Sequence, residues 1–241
     1  MPTALLAFLL GVLTGPLAHH LAVQAGGDQP WALSSAVCRR CGAGMGRLLA
    51  TCPACGLRPW RSWATAVALG IVNGALAWRI GANFVLAAYL AFAFLTVVLF
   101  LTDIDHKRIP NRITYPGTPA AAALLLAGSW LDGTHSAFPQ ALAGAGAYAG
   151  FFLVVYLVAR GGFGFGDVKL AVLLGLFLAF EGWDRLLVAG FMTAAIGGLM
   201  AIGAVVAAGA GAKTEIPYGP AMIIGAWMTV IGGERLAGLF L

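Results

Sequence analysis

Charged residues are scarce in this chain, and acidic residues are scarcer than basic ones. Only 10% of the 241 residues are charged, with nine acidic side chains against 14 lysines and arginines. A soluble domain usually carries about 25% charged residues. The low charge therefore excludes an ordinary soluble domain, a disordered chain and a nucleic-acid-binding domain. Hydrophobic residues make up 61% of the chain and the mean hydropathy is +0.91, which indicates a lipid bilayer as the surroundings.

The apolar residues fall into segments of membrane-spanning length. A helix needs about 20 apolar residues to cross a hydrocarbon core of ~30 Å. We therefore predict an all-α polytopic membrane bundle of about eight transmembrane helices. Residues 1–23 are expected to form a retained first helix, because no lysine or arginine precedes its apolar run. The other predicted spans are residues 63–80, 82–101, 113–131, 139–159, 168–180, 186–210 and 221–241.

Basic residues predict the orientation of this bundle. Eleven of the 14 lie in loops on one side, whereas Arg79, Arg185 and Arg235 lie on the other. Loops rich in lysine and arginine stay in the cytoplasm. We therefore expect the N-terminus outside, residues 24–62 as a cytoplasmic segment, and residues 63–241 as a transmembrane core.

Two aspartates lie at the predicted cytoplasmic edge of this core. Asp103 ends the third span and Asp167 opens the sixth. A carboxyl group at membrane depth is costly and indicates a functional site. Two adjacent carboxyl groups can divide the work of activating a water and protonating a leaving amine. The alternative is that each is a helix cap, a position that Asp favours.

The sequence around each aspartate favours the catalytic interpretation. Asp167 closes the string GFGD at residues 164–167, whose glycines let the backbone approach a ligand closely. Asp103 is followed, after five intervening residues, by the string IPN at residues 109–111. With these strings the chain resembles the type IV prepilin peptidases, which are membrane aspartic proteases of the GxGD family. The string IPYGP at residues 216–220 resembles a third motif of that family, so the resemblance covers about residues 63–241.

The resemblance implies a function and a set of site residues. The catalytic pair would be Asp103 and Asp167, with Gly164, Gly166, Lys169, Pro110 and Asn111 supporting the active site. The implied substrates are prepilins or pseudopilins, with a short basic leader, a glycine before the scissile bond and an apolar helix after it. The implied location is the bacterial inner membrane, with the active site at its cytoplasmic face.

Two residues near the aspartates have alternative interpretations. Asp105 is a rival to Asp103, but it lies further from the apolar run, so we expect it to be solvated. Lys169 follows Asp167 by two residues and is expected to extend its amine towards the interface. The alternative is that it tunes the neighbouring carboxylate.

The four cysteines predict a structural metal site. They form two CxxC pairs separated by ten residues, namely Cys38, Cys41, Cys52 and Cys55. Four thiolates from two such turns make a closed tetrahedral zinc site. Two disulfides would need an oxidising compartment, which the cytoplasmic assignment disfavours, and a redox relay usually employs a single pair.

The family resemblance also implies a second activity, N-methylation of the new amino terminus with S-adenosylmethionine. The corresponding cytoplasmic segment is usually longer in the family than residues 24–62, so this activity stays open. Two other classes of function are also kept: a proton- or ion-coupled transporter using the aspartates, and a zinc-dependent scaffold without chemistry. A protease with the same carboxyl pair and other substrates is a further alternative.

Overall fold

The computed structural model describes residues 1–25, 36–37, 41–45, 52, 54–55, 60–158, 164–208 and 217–240. Within these ranges the chain forms eight α-helices and one two-residue antiparallel ladder, which confirms the all-α prediction. The helices are α1 (Pro2–Ala25), α2 (Trp60–Ile80), α3 (Val85–His106), α4 (Asn111–Leu131), α5 (Ala137–Val158), α6 (Phe165–Glu181), α7 (Trp183–Ala208) and α8 (Gly219–Phe240). The ladder pairs β1 (Ala36–Val37) with β2 (Gly44–Met45).

Five of the helices are long and apolar enough to cross a membrane: α1, α2, α3, α5 and α7. They support a multi-pass membrane protein. Helix α6 has only 17 residues, which at 1.5 Å per residue is about 25 Å. The apolar part of α8, Gly219–Gly232, is also shorter than a full membrane span. The expected number of eight spans therefore stays a prediction.

The helix bounds differ from the sequence-based expectation at two informative places. Helix α3 continues past the predicted end at residue 101 and includes Asp103 and Asp105. Helix α6 begins before residue 168 and includes Asp167 as its third residue. Both aspartates of the predicted pair are therefore held by helix backbone and not by loops, which gives them fixed positions.

Small residues let α1 and α2 pack with their backbones in contact. Gly11 and Gly15 lie four residues apart on α1 and face Ala66 and Gly70 of α2. A methyl group at position 11 would lie 2.6 Å from the carbonyl oxygen of Leu69. This is the small-xxx-small arrangement by which membrane helices approach closely.

Helix α6 forms the centre of the bundle. Eleven of its residues are buried, and its Phe177 stacks on Phe92 of α3 with ring centroids 4.4 Å apart. Trp227 of α8 also packs on Phe92, with ring centroids 5.2 Å apart. A methyl group at Gly175 would lie 2.8 Å from the carbonyl oxygen of Gly144, so α5 approaches α6 at backbone distance.

Polar contacts mark the two ends of the bundle. At one end Arg79 of α2 donates two hydrogen bonds to Glu181 of α6, at 2.6 and 2.5 Å. At that same end the Asp132 carboxylate accepts hydrogen bonds from the backbone N–H groups of Phe84 and Val85. The opposite end contains the last turn of α3 and the first turns of α6 and α8, where the predicted site residues lie.

Candidate active site

Asp103 lies in the last turn of α3 and is buried, with 5% of its surface exposed. The helix ends at His106, and the C-cap residue Lys107 adopts a left-handed conformation and donates its backbone N–H to the Asp103 carbonyl oxygen at 2.8 Å. The side-chain Oδ2 accepts a hydrogen bond from the backbone N–H of Gly219 at 3.1 Å. The buried Asp103 carboxyl group is thus oriented by the backbone amide of the first residue of α8.

Asp167 lies in the first turn of α6 and is 7% exposed. Its Oδ2 accepts a hydrogen bond from the backbone N–H of Gly164 at 3.3 Å, and Gly164 is the N-cap residue of the helix. The cap alternative is therefore partly right, since the carboxylate does satisfy one amide near the helix N-terminus. That contact also fixes the orientation of the side chain.

One cavity brings the two aspartates together. Asp103 and Asp167 both line it, and they are close enough to interact electrostatically. Its volume is about 420 Å³. All five residues expected to support the site line the same cavity, namely Pro110, Asn111, Gly164, Gly166 and Lys169. The remaining lining residues are Ala25, Lys107, Arg108 and Ile109.

Local contacts explain why these residue types occur beside the aspartates. A methyl group at Gly166 would lie 3.0 Å from Cβ of Ile109, so the glycine lets the start of α6 pack on the buried Ile109. Lys169 donates a hydrogen bond from Nζ to Oδ1 of Asn111 at 2.6 Å. Its amine also lies 5.3 and 5.0 Å from the ring centroids of Tyr115 and Phe165. Lys169 therefore ties α6 to α4, which is more than the simple extension to the interface that we expected.

Asp105 does not occupy the cavity, and it is not solvated as the sequence suggested. Its side chain is 8% exposed and accepts a hydrogen bond from Arg61 of α2 at 3.0 Å. The expectation was wrong because α3 extends by more than a turn past the apolar run, which leaves Asp105 facing α2. Asp103, and not Asp105, lines the cavity together with Asp167.

Sequence reasoning missed the role of the third motif. The sequence marks the string at residues 216–220 only as a third family motif, whereas its Gly219 contacts Asp103 directly. Residue 216 lies outside the described residues. Burial raises the pKa of the neighbouring Tyr218 hydroxyl above its usual value, and the charge of Asp167 raises it further. Tyr218 therefore remains a protonated O–H donor at neutral pH.

Three of the four cysteines lie together. The sulfur atoms of Cys41, Cys52 and Cys55 all lie within 4.8 Å of one another, and the Sγ atoms of Cys41 and Cys52 are 3.6 Å apart. Two thiolates on one tetrahedral zinc, each about 2.3 Å from the metal, would be separated by roughly 3.8 Å. The cluster therefore has the spacing of a metal site. Cys38 lies outside the described residues.

The ladder of β1 and β2 helps to form this cluster. It encloses Cys41, and Gly42 beside it has a φ of +71°, a conformation that glycine adopts without strain. Cys52 is buried, with 2% of its surface exposed. A soft thiolate set of this kind suits zinc and excludes the hard cations that prefer oxygen ligands.

The fold and the cavity define a class: a multi-helix membrane protein with two buried aspartates at one end of the bundle. The model of the "Type IV leader peptidase family" matches residues 89–202, a range that includes both aspartates. This match confirms the resemblance noted in the sequence, and residues 89–202 belong to the type IV leader peptidase family.

Three of the similar proteins carry the same name. A "Prepilin leader peptidase/N-methyltransferase" of Bacillus subtilis (strain 168) is 30% identical over 163 residues, which is 68% of this chain and 62% of the relative. Proteins of the same name from Stutzerimonas stutzeri and Pseudomonas putida are 25% and 26% identical and cover 73% and 70% of this chain. The matches span only 60% and 58% of those two relatives. No solved structure matches the chain.

Proposed function

We propose that this protein is a membrane aspartic endopeptidase that removes the basic leader from type IV prepilins or pseudopilins. The observation that carries the proposal is the placement of Asp103 and Asp167. They come from helices far apart in sequence, are both buried, and line one cavity. The relatives named as prepilin leader peptidases support the choice of substrate.

The chemistry follows from the two carboxyl groups. One ionised carboxylate takes a proton from a water, whose oxygen attacks the carbonyl carbon of the scissile peptide bond. The other carboxyl group donates its proton to the leaving nitrogen as the carbon–nitrogen bond breaks. The products are the carboxylate of the leader and the free amine of the mature subunit. The coupled pair acts as a unit, and no fixed role is assigned to either aspartate.

The position of the pair suits a substrate with one polar and one apolar part. Asp103 is near the end of α3, and Asp167 is near the start of α6. We place this end at the cytoplasmic face of the bacterial inner membrane, where a basic leader would stay in water while the apolar helix remains in the bilayer. The aspartates are not midway along their helices, where coupling ions of transporters tend to bind. The transporter alternative therefore has no support.

The rest of the chain completes the proposal. We infer a first transmembrane helix at residues 1–23, a cytoplasmic cysteine segment at residues 24–62 and a peptidase core at residues 63–241. Zinc would be held by Cys41, Cys52 and Cys55 with Cys38 as the fourth ligand, and it would staple this segment without entering the chemistry. The names of the relatives include N-methyltransferase. For this chain we propose the peptidase activity, and methylation is a separate question that the mass of the mature subunit answers.

The test is an intact-mass spectrum of a prepilin co-expressed with the enzyme. We expect the wild type to remove the leader, and Asp103→Asn or Asp167→Asn to abolish removal while the protein still accumulates in the membrane. Asp184→Asn is the matched control, because Asp184 lies at the opposite end of the bundle with 40% of its side chain exposed. Normal processing by either of the first two variants would refute the carboxyl pair. An added mass of about 14 Da on the mature subunit would show S-adenosylmethionine-dependent methylation.

A further inference from the structure

Helix α7 contributes no residue to the cavity that the aspartates line. It does contact Tyr218, the residue that precedes Gly219, and Gly219 is hydrogen-bonded to Asp103. The ring of Tyr218 lies against Gly197 of α7. A methyl group at position 197 would overlap Cε2 of this ring and lie 3.0 Å from its Cζ. The Tyr218 hydroxyl donates to the carbonyl oxygen of Thr193, one turn earlier on α7, at 3.5 Å. Gly197 thus forms a slot that only a residue without a side chain can provide.

Gly219, the residue after Tyr218, connects the Tyr218 contact with Asp103. Gly219 donates its backbone N–H to Oδ2 of Asp103 at 3.1 Å. A methyl group at position 219 would lie 2.6 Å from the same oxygen, so the backbone approaches the carboxylate as closely as a glycine permits. Because Tyr218 and Gly219 share a planar peptide group, a shift of the Tyr218 backbone to accommodate its ring shifts the Gly219 amide as well.

A second close contact keeps α7 and α8 in register below the slot. A methyl group at Gly225 of α8 would lie 2.9 Å from both the backbone nitrogen and Oγ1 of Thr193. The Thr193 hydroxyl is also 3.4 Å from the Tyr148 hydroxyl of α5. Helix α8 is therefore held against α7 by backbone-level packing six residues after Gly219.

We propose that Tyr218 is a positioning residue for the peptidase reaction. Seated in the Gly197 slot, it sets the Gly219 amide against Asp103 and so fixes the orientation of that carboxyl group in the cavity. The inference rests on the proposed function. It assigns to α7 an indirect control of the reaction, with no contact between Tyr218 and the substrate required.

The first test compares two neighbouring glycines of α7. Gly198 has no atom within 4 Å of the position that a methyl group would occupy. Gly198→Ala is therefore the matched control for Gly197→Ala, with the same change in helix propensity. We expect Gly197→Ala to lower kcat by about ten- to a hundred-fold, the size of losing one hydrogen bond to a charged group, while KM changes by less than about threefold and Gly198→Ala keeps both constants. Rates are taken per folded enzyme after size-exclusion chromatography in detergent.

The second test is a double-variant cycle with the ring removed. Tyr218→Ala should lose kcat to a similar extent, and Tyr218→Phe, which keeps the ring in its slot, should restore most of it. Once the ring is absent, the methyl group of Gly197→Ala has nothing to displace. The double variant should therefore be no slower than Tyr218→Ala alone.

The outcomes separate the inference from the proposed function. A wild-type enzyme that leaves prepilin uncleaved would refute the proposed function and this inference together. Wild-type cleavage combined with normal kcat in Gly197→Ala would refute the inference alone. Losses that multiply in the double variant, or that arise only in KM, would also overturn it, because they would show two independent structural defects.

Discussion

The ion pair between Arg61 and Asp105 offers a direct test of how the two neighbouring aspartates of α3 divide their roles. The pair joins α2 to α3 at 3.0 Å, with 8% of the Asp105 side chain and 32% of the Arg61 side chain exposed. Exposed pairs contribute about 0.2–1 kcal/mol, whereas breaking a fully buried pair costs about 3–5 kcal/mol. A half-buried pair with one accessible end should lie between these limits. We therefore expect Asp105→Asn to lower the free energy of unfolding by about 1–2 kcal/mol.

The same variant should keep the peptidase activity, because Asp105 does not line the cavity. Asp103→Asn should show the opposite pattern, with activity lost and little change in unfolding. The assays are prepilin cleavage and unfolding of the purified protein in mixed micelles. Arg61→Gln and the double variant provide the control, since the second substitution should add little once the pair is broken. An inactive but stable Asp105→Asn enzyme would show that the wrong aspartate has been assigned to the pair.

Three further predictions concern packing, metal and positioning. Gly15→Ala should lower the free energy of unfolding by about 1–3 kcal/mol through overpacking, because its methyl group would lie 2.8 Å from the Ala66 nitrogen. Gly146→Ala is the control, because open space surrounds that position, and it should leave the free energy of unfolding unchanged. Equal stabilities of the two variants in an unfolding titration would contradict the α1–α2 contact. Cys52→Ser should reduce bound zinc below one equivalent by elemental analysis while Asp167→Asn retains it; full zinc in the serine variant would remove the cysteines from the metal site. Lys169→Met should slow cleavage by about three- to tenfold through loss of the bond to Asn111, and an unchanged rate would show that this bond does not support the site.

Asp103 and Asp167 could be singled out as candidates from the sequence because a charge in an apolar chain is conspicuous. Nine acidic residues among 241 leave few candidates, and the strings around Asp103 and Asp167 selected two of them. Gly164, Gly166 and Lys169 line the same cavity as the two aspartates. The composition also predicted the all-α architecture, because apolar runs of this length cross a bilayer as α-helices.

The contacts made by backbone atoms could not be predicted in this way. Gly219 touches Asp103 through its amide, and no side chain signals that contact in the sequence. Asp105 was misjudged because hydropathy marks the end of an apolar run, whereas helix α3 continues to His106. The pairing of α1 with α2 did have a signal, the spacing of Gly11 and Gly15, which is a known pattern for close helix contacts.

The shortness of α6 has a consequence for how the protein is made. Its 17 residues fall below the ~20 that a helix needs to enter a bilayer alone, and it begins with a carboxyl group and ends with another. Helix α5, synthesised first, offers at Gly144 the backbone surface against which Gly175 packs. Membrane insertion of α6 should therefore depend on α5 already being present, so that the two enter as one unit. A reporter fused after residue 181 would then measure the insertion of a helix pair, and weakening the α5 contact would leave residue 181 on the side of the membrane where α6 begins.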